Sequence, residues 1–167
     1  MKWSLLKNNK MSSFQKIVEL LSKEHITHRV VVHETIPRDS FEASKIRKSD
    51  VTKGAKALIL ENDQKELLQV VVPAHQKVNI KELQRIAGKK RIKLASPEKV
   101  FERTNCVVGS VPPLGILWSL PVFIDTSFTE EKEIVFSAGT LTDSIYLQAK
   151  NLITLNNATV GSFAKDH

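Results

Sequence analysis

Two features of this chain place residues that can do chemistry. The first is Lys56, between Ala55 and Ala57 at the head of the apolar run that ends at Leu60. An ammonium leaning toward a protein interior is costly to desolvate, so its task there would be to hold a phosphate or a developing oxyanion. The second is the run Gly109-Ser110-Val111-Pro112-Pro113-Leu114-Gly115. Its glycines and paired prolines fix the backbone, while Ser110 and Val111 keep N–H groups that a loop can point at a ligand. Each feature has a plainer reading: strand-end lysines are commonly solvated, and Gly/Pro clusters commonly make rigid turns. The pairing of the two is what points to a site.

Other chemistries are poorly served. The chain has no G-x-S-x-G elbow, no Walker loop, no G-x-G-x-x-G and no convincing Ser/His/Asp set. His25, His28, His33, His75 and His167 fall into no ligand array, and Cys106 is the only cysteine, so neither a metal nor a cofactor is expected. Cys106 reads as a small buried apolar residue rather than a nucleophile. Without a possible intramolecular disulfide or a secretory leader, the expected location is the cytoplasm, and no apolar run approaches the roughly 20 residues that span a bilayer.

The 167 residues suit one domain over 11–167, preceded by a loose arm at 1–10 or an extension upstream of Met11. The net charge of +7 is unevenly spread. Residues 1–103 hold 22 basic against 12 acidic residues, a net +10, and residues 104–167 hold 3 against 6, a net −3. Clusters at Lys45-Ile46-Arg47-Lys48 and Lys89-Lys90-Arg91-Ile92-Lys93 would attract phosphate or simply solvate helix surface. With aromatic residues at 6%, nucleic acid would be met through backbone and shape rather than a stacking sheet.

These residues need elements to hold them. Ser12 or Ser13 caps a helix with Phe14, Ile17, Val18 and Leu21 at helical spacing, and a strand follows at His28–His33. Asp39 and Glu42 have capping-box spacing for a short helix that would bury Phe41 and Ile46. A hairpin is predicted from Lys56–Leu60 through Asn62 and Asp63 to Leu67–Pro73, with later helices opened by Asn79 and by Ser96-Pro97. Further strands are predicted at Val107, Pro121–Ile124, Ile134–Phe136 and Ile145–Leu147, with a closing helical turn near Ala149–Leu155. The interleaving predicts an α+β domain whose mixed, strongly curved, barrel-like sheet carries helices packed outside it.

At Gly54-Ala-Lys-Ala-Leu-Ile-Leu60, Val71-Val-Pro73, Leu94-Ala-Ser96, Thr104 to Gly115, Pro121-Val-Phe-Ile-Asp125 and Ser137-Ala-Gly139, the chain resembles the YbaK-like aminoacyl-tRNA editing domains. These are free-standing relatives of the editing insertion of prolyl-tRNA synthetases. The resemblance implies a metal-independent deacylase, acting in translation fidelity, that cuts the ester of a mischarged tRNA. Lys56 would match the essential lysine that engages the terminal nucleotide. Gly109 and Pro113 would match the G-x-x-x-P loop, whose amides, from Ser110 and Val111, orient the carbonyl. Water would attack with help from the neighbouring ribose hydroxyl, which accords with the missing triad. The tRNA acceptor end is the implied partner, with recruitment by a synthetase a further expectation.

The resemblance assigns pocket lining to the variable stretch before Lys56, here His33, Ser40, Phe41 and Ala43, with Gly115 and Gly139 on the loops. The family often has an acidic residue after the A-G or G-G pair; here Asp143 lies near that position and Ser144 occupies it. Asp125 is expected to bind turn backbone. A second sieve suits a small side chain such as alanine, cysteine, serine, threonine or proline, because a hydrophobic pocket resolves one methylene by only about 1–3 kcal/mol. The rival reading is a non-catalytic module that holds a nucleotide or acceptor end, and a small-molecule esterase comes third.

Overall fold

The computed structural model describes residues 11–128 and 132–167; the expected arm at 1–10 lies outside them. In chain order the elements are α1 (Ser13–Lys23), β1 (Arg29–Val32), α2 (Ser40–Arg47), β2 (Ala55–Glu61), β3 (Leu67–Pro73), β4 (Lys77–Val78), α3 (Ile80–Ala87), β5 (Lys93–Leu94), α4 (Pro97–Thr104), β6 (Val122–Asp125), β7 (Glu133–Ser137), β8 (Asp143–Gln148), α5 (Ala149–Asn156), β9 (Thr159–Gly161) and β10 (Ala164–Lys165). Local chemistry sets the helix starts. Ser12 and Gln15 form a reciprocal capping box for α1, Asn79 caps α3, and Ser96 caps α4 with Pro97 in its first turn. Asp39 caps α2 by accepting from the Glu42 N–H, but the Glu42 carboxylate turns to Arg38 instead of closing a capping box.

The strands form three sheets among the described residues, ordered β1-β8-β7, β10-β4 and β5-β2-β3-β6-β9. The last is mixed: β2 and β3 form the expected antiparallel hairpin, while β3–β6 and β6–β9 run parallel. The fold is thus α+β, but no sheet closes, and the barrel-like expectation is corrected. Closure needs an unbroken ladder around the axis. Here β1 runs on into α2 and a 3₁₀ turn (Val51–Lys53), β5 pairs with β2 over only Leu60 and Glu61, and the β2 and β7 sheets meet at a single bridge, Gly54 to Val135. A gap is left between the two larger sheets. The strand expected at Val107 is also absent, because Asn105 ends α4 in a left-handed conformation and Val107 follows in an exposed loop.

Three apolar clusters set the frame. Ile17 and Leu21 of α1 pack with Phe136, Ile145 and Leu152; Leu83 of α3 packs with Val70, Val72 and Phe163; and Ile59, Val100, Cys106, Val111 and Trp118 enclose the base of the glycine loop. Asp125 ties down the end of β6, accepting from Ser127 N–H at 3.0 Å, Phe163 N–H at 2.8 Å and Ala164 N–H at 2.7 Å.

Candidate active site

The gap between the sheets is a cavity of about 930 Å³, and it holds both Lys56 and the glycine loop: Lys56, Ala57 and Ile59 from β2, Gly109 and Val111 from the loop, and Val135 and Ser137 from β7 all line it. Helix α2 forms another wall. Ser40, Ala43, Ser44 and Arg47 recur at i, i+3, i+4 and i+7, a single helical face, and all four line the cavity. Phe41 is two residues round from Ala43, about 200° at helical spacing, which leaves it 58% exposed and away from the cavity, so its expected burial and its pocket role are both corrected.

Lys56 is half-buried, with neither a carboxylate nor a hydrogen-bond acceptor among the described residues, and burial alone pushes its ammonium below the ordinary lysine range. The two acids on the cavity wall are engaged elsewhere. Asp39 caps α2, and Asp50 accepts from Thr52 N–H and Thr52 Oγ1. Neither of these side chains neutralises Lys56.

The loop is clamped from behind. Gln69 Nε2 donates to the Pro112 carbonyl at 2.9 Å while its Oε1 accepts from Gly115 N–H at 2.8 Å. Asn156 Nδ2 donates to the Pro113 carbonyl at 2.9 Å, and its Oδ1 accepts from Ile116 N–H at 3.2 Å. A Cβ on Gly115 would stand 2.6 Å from Val122 Cγ2, so the glycine permits this close seat. On the other side, Gly139 N–H donates to the Ser110 carbonyl at 2.9 Å, joining the loop to the β7–β8 turn. Gly109 and Gly139 both sit at positive φ, +91° and +87°.

This arrangement sorts the residues singled out in the sequence. Lys56, Gly109, Val111, Ser40 and Ala43 meet at the cavity. Ser110 does not present its N–H to a ligand: it is fully buried, and both its N–H and its hydroxyl donate to the Val107 carbonyl. Among the loop amides, those of Gly109 and Val111 have no protein acceptor among the described residues. Pro113, Gly115 and Gly139 stand behind the cavity as supports. Asp143 is occupied with Thr140, its Oδ2 accepting from Thr140 Oγ1 at 2.6 Å. His33 Nε2 stands 3.4 Å from Ser144 Oγ, and His33 is not on the cavity wall.

Sequence reasoning missed Arg47, Gln69, Asn156 and Ser137. A lone glutamine in the apolar run Leu67–Pro73 was the one available signal. A second depression of about 510 Å³, near His25, Arg29 and Tyr146, contains neither Lys56 nor the loop.

A cavity with an unpaired ammonium and a braced amide loop fits the class of aminoacyl-tRNA editing domains. The chain belongs to that family: residues 37–155 match its aminoacyl-tRNA editing domain. It is accordingly a hydrolase of the aminoacyl-tRNA deacylase class. It is 31% identical over 155 residues, 90% of this chain and 92% of the relative, to the multifunctional Ser/Thr-tRNA deacylase ProXp-y of Escherichia coli K12. It is 31% identical over 84 residues to proline--tRNA ligase of Bacillus cereus, a match covering 50% of this chain but 15% of that protein. A crystallised candidate trans-editing enzyme for prolyl tRNA synthetase shares the fold, with a TM-score of 0.79, 22% identity, and coverage of 94% of this chain and 99% of that one. Among the described residues, no helix is long and apolar enough to cross a membrane.

Proposed function

We propose that this protein acts in trans, in the cytoplasm, to hydrolyse the ester that joins a small, wrongly chosen amino acid to the 3′ end of a tRNA. One observation carries the reading: Lys56, without an acidic partner, lines the same cavity as Gly109 and Val111. Lys56 holds the terminal nucleotide. The free amides of Gly109 and Val111 orient the ester carbonyl and stabilise negative charge as it develops on oxygen, and the braced loop spares the reaction their reorganisation. Asp39 and Asp50 of the cavity wall are engaged in caps, and the attacking water relies on the ribose hydroxyl beside the ester. Its nearness supplies the advantage of an intramolecular group.

Serine and threonine are the first amino acids to test, given the relative that is a Ser/Thr-tRNA deacylase. Recruitment by a synthetase would fit a chain whose relatives include a stretch of proline--tRNA ligase.

The test is a deacylation screen of the purified protein against tRNAs charged with serine, threonine, alanine, cysteine and proline. Release of at least one amino acid well above the spontaneous rate is expected. Binding of tRNA without release from any of them would convert the reading to a non-catalytic module. Equal cleavage of free amino-acid esters lacking adenosine would make it a simple esterase.

A further inference from the structure

Arg47 closes α2 and lines the cavity, yet the loop chemistry makes no use of it. Its Nε donates to Ser144 Oγ at 3.0 Å, and Ser144 is fully buried on β8. The remaining donors, on Nη1 and Nη2, have no acceptor among the described residues. Arg29, Arg38 and Arg85 each have a glutamate within 4.0 Å, but Arg47 has no acidic partner among the described residues. Burial also lowers its proton affinity, a sign that the charge is poorly solvated where it stands. With Asp39 and Asp50 turned to capping duties, Arg47 and Lys56 give the cavity two unneutralised cations.

A half-buried guanidinium with an open fork calls for an anion that can accept two parallel hydrogen bonds. In an aminoacylated RNA end, the amino acid contributes an α-ammonium, which Arg47 would repel, and an ester carbonyl, which is neutral. The phosphodiesters are the anionic groups. We propose that Arg47 is a phosphate-binding residue: its Nη groups grip a backbone phosphodiester of the RNA 3′ end while Nε, anchored on Ser144, fixes the fork toward the cavity. Resting on the deacylase reading, this assigns to Arg47 the hold on the RNA backbone and leaves the carbonyl to the loop.

The experiment compares wild type, Arg47→Gln and Arg47→Lys by equilibrium binding of the RNA trinucleotide CCA and of adenosine, alongside steady-state deacylation of a seryl minihelix. For Arg47→Gln, affinity for CCA is expected to fall about tenfold with adenosine unaffected, and the slope of log K against log salt to become shallower by about 0.7, the value for one single-strand phosphate contact. KM should rise in parallel with kcat held within about twofold, as for a contact made equally in ground and transition states. If Arg47→Gln does not fold, Arg47→Lys serves, with a loss on CCA of about threefold because charge is kept and the fork is lost. Equal losses on CCA and adenosine, an unchanged salt slope, or a change only in preference between seryl and alanyl esters would overturn the assignment. Because the binding arms need no hydrolysis, a protein that deacylates nothing would refute the deacylase reading while leaving the Arg47 result to be read separately.

Discussion

At the scale of single residues, the site trades stability for charge. Lys56 sits where its ammonium is partly stripped of water and unpaired, so its proton is held less tightly in the folded chain than in the unfolded one. The unfolded state then binds more protons between the lowered and the ordinary lysine pKa, and stability contributed by this residue rises with pH through that window. Lys56→Met is expected to raise Tm at pH 7, with the advantage over wild type shrinking as pH is raised toward 10. Thermal melts at several pH values check this; a variant less stable than wild type at pH 7 would contradict it. Lys56 and Gly109 were legible in the sequence because a lysine among alanines and a glycine before prolines each break a local pattern. Arg47 was not, since at a helix end it looks like any last-turn cation, and its partner Ser144 is 97 residues away.

At the scale of elements, the loop owes its rigidity to groups outside it. Gln69 is fully buried in β3 and satisfies a carbonyl and an amide of the loop at once. Gln69→Leu is expected to cost about 2–4 kcal/mol, from two lost hydrogen bonds and the buried groups left unpaired. It should lower kcat of the folded fraction more than it raises KM, since loosened amides fail mainly in the transition state; denaturant melts with steady-state kinetics read both effects. Gly139→Ala puts a Cβ 2.9 Å from Ser13 Cβ at φ +87°, so a loss of about 1–3 kcal/mol is expected by urea denaturation, with α1 pushed off the β7–β8 turn. The hairpin, the caps and the order of helices were readable from local chemistry. Sheet closure was not. It depended on which strand edges found each other, and the same failure to close made the cavity.

At the scale of the whole molecule, the uneven charge has a place. The cluster from Lys45 to Lys48 lies on and just after α2, and that from Lys89 to Lys93 leads into β5, whose Leu94 lines the cavity. The first segment lies on the cavity wall and the second ends at its edge, positions from which they would draw a polyanion toward the mouth. Deacylation of a mischarged tRNA is expected to show a KM that rises about tenfold between 50 and 200 mM salt, as for two or three phosphate contacts, with kcat nearly constant. A salt-independent KM would place the RNA elsewhere.

The claim on which all three scales converge is that one ammonium and one braced loop act together on the acylated RNA end. Single-turnover deacylation by wild type and by Lys56→Ala, with matching circular dichroism spectra, tests it most directly on the best substrate of the tRNA screen. The rate in the variant is expected to fall by about 100-fold or more, the scale for removing one preorganised charge-stabilising group. A folded Lys56→Ala protein that deacylates as fast as wild type would contradict it.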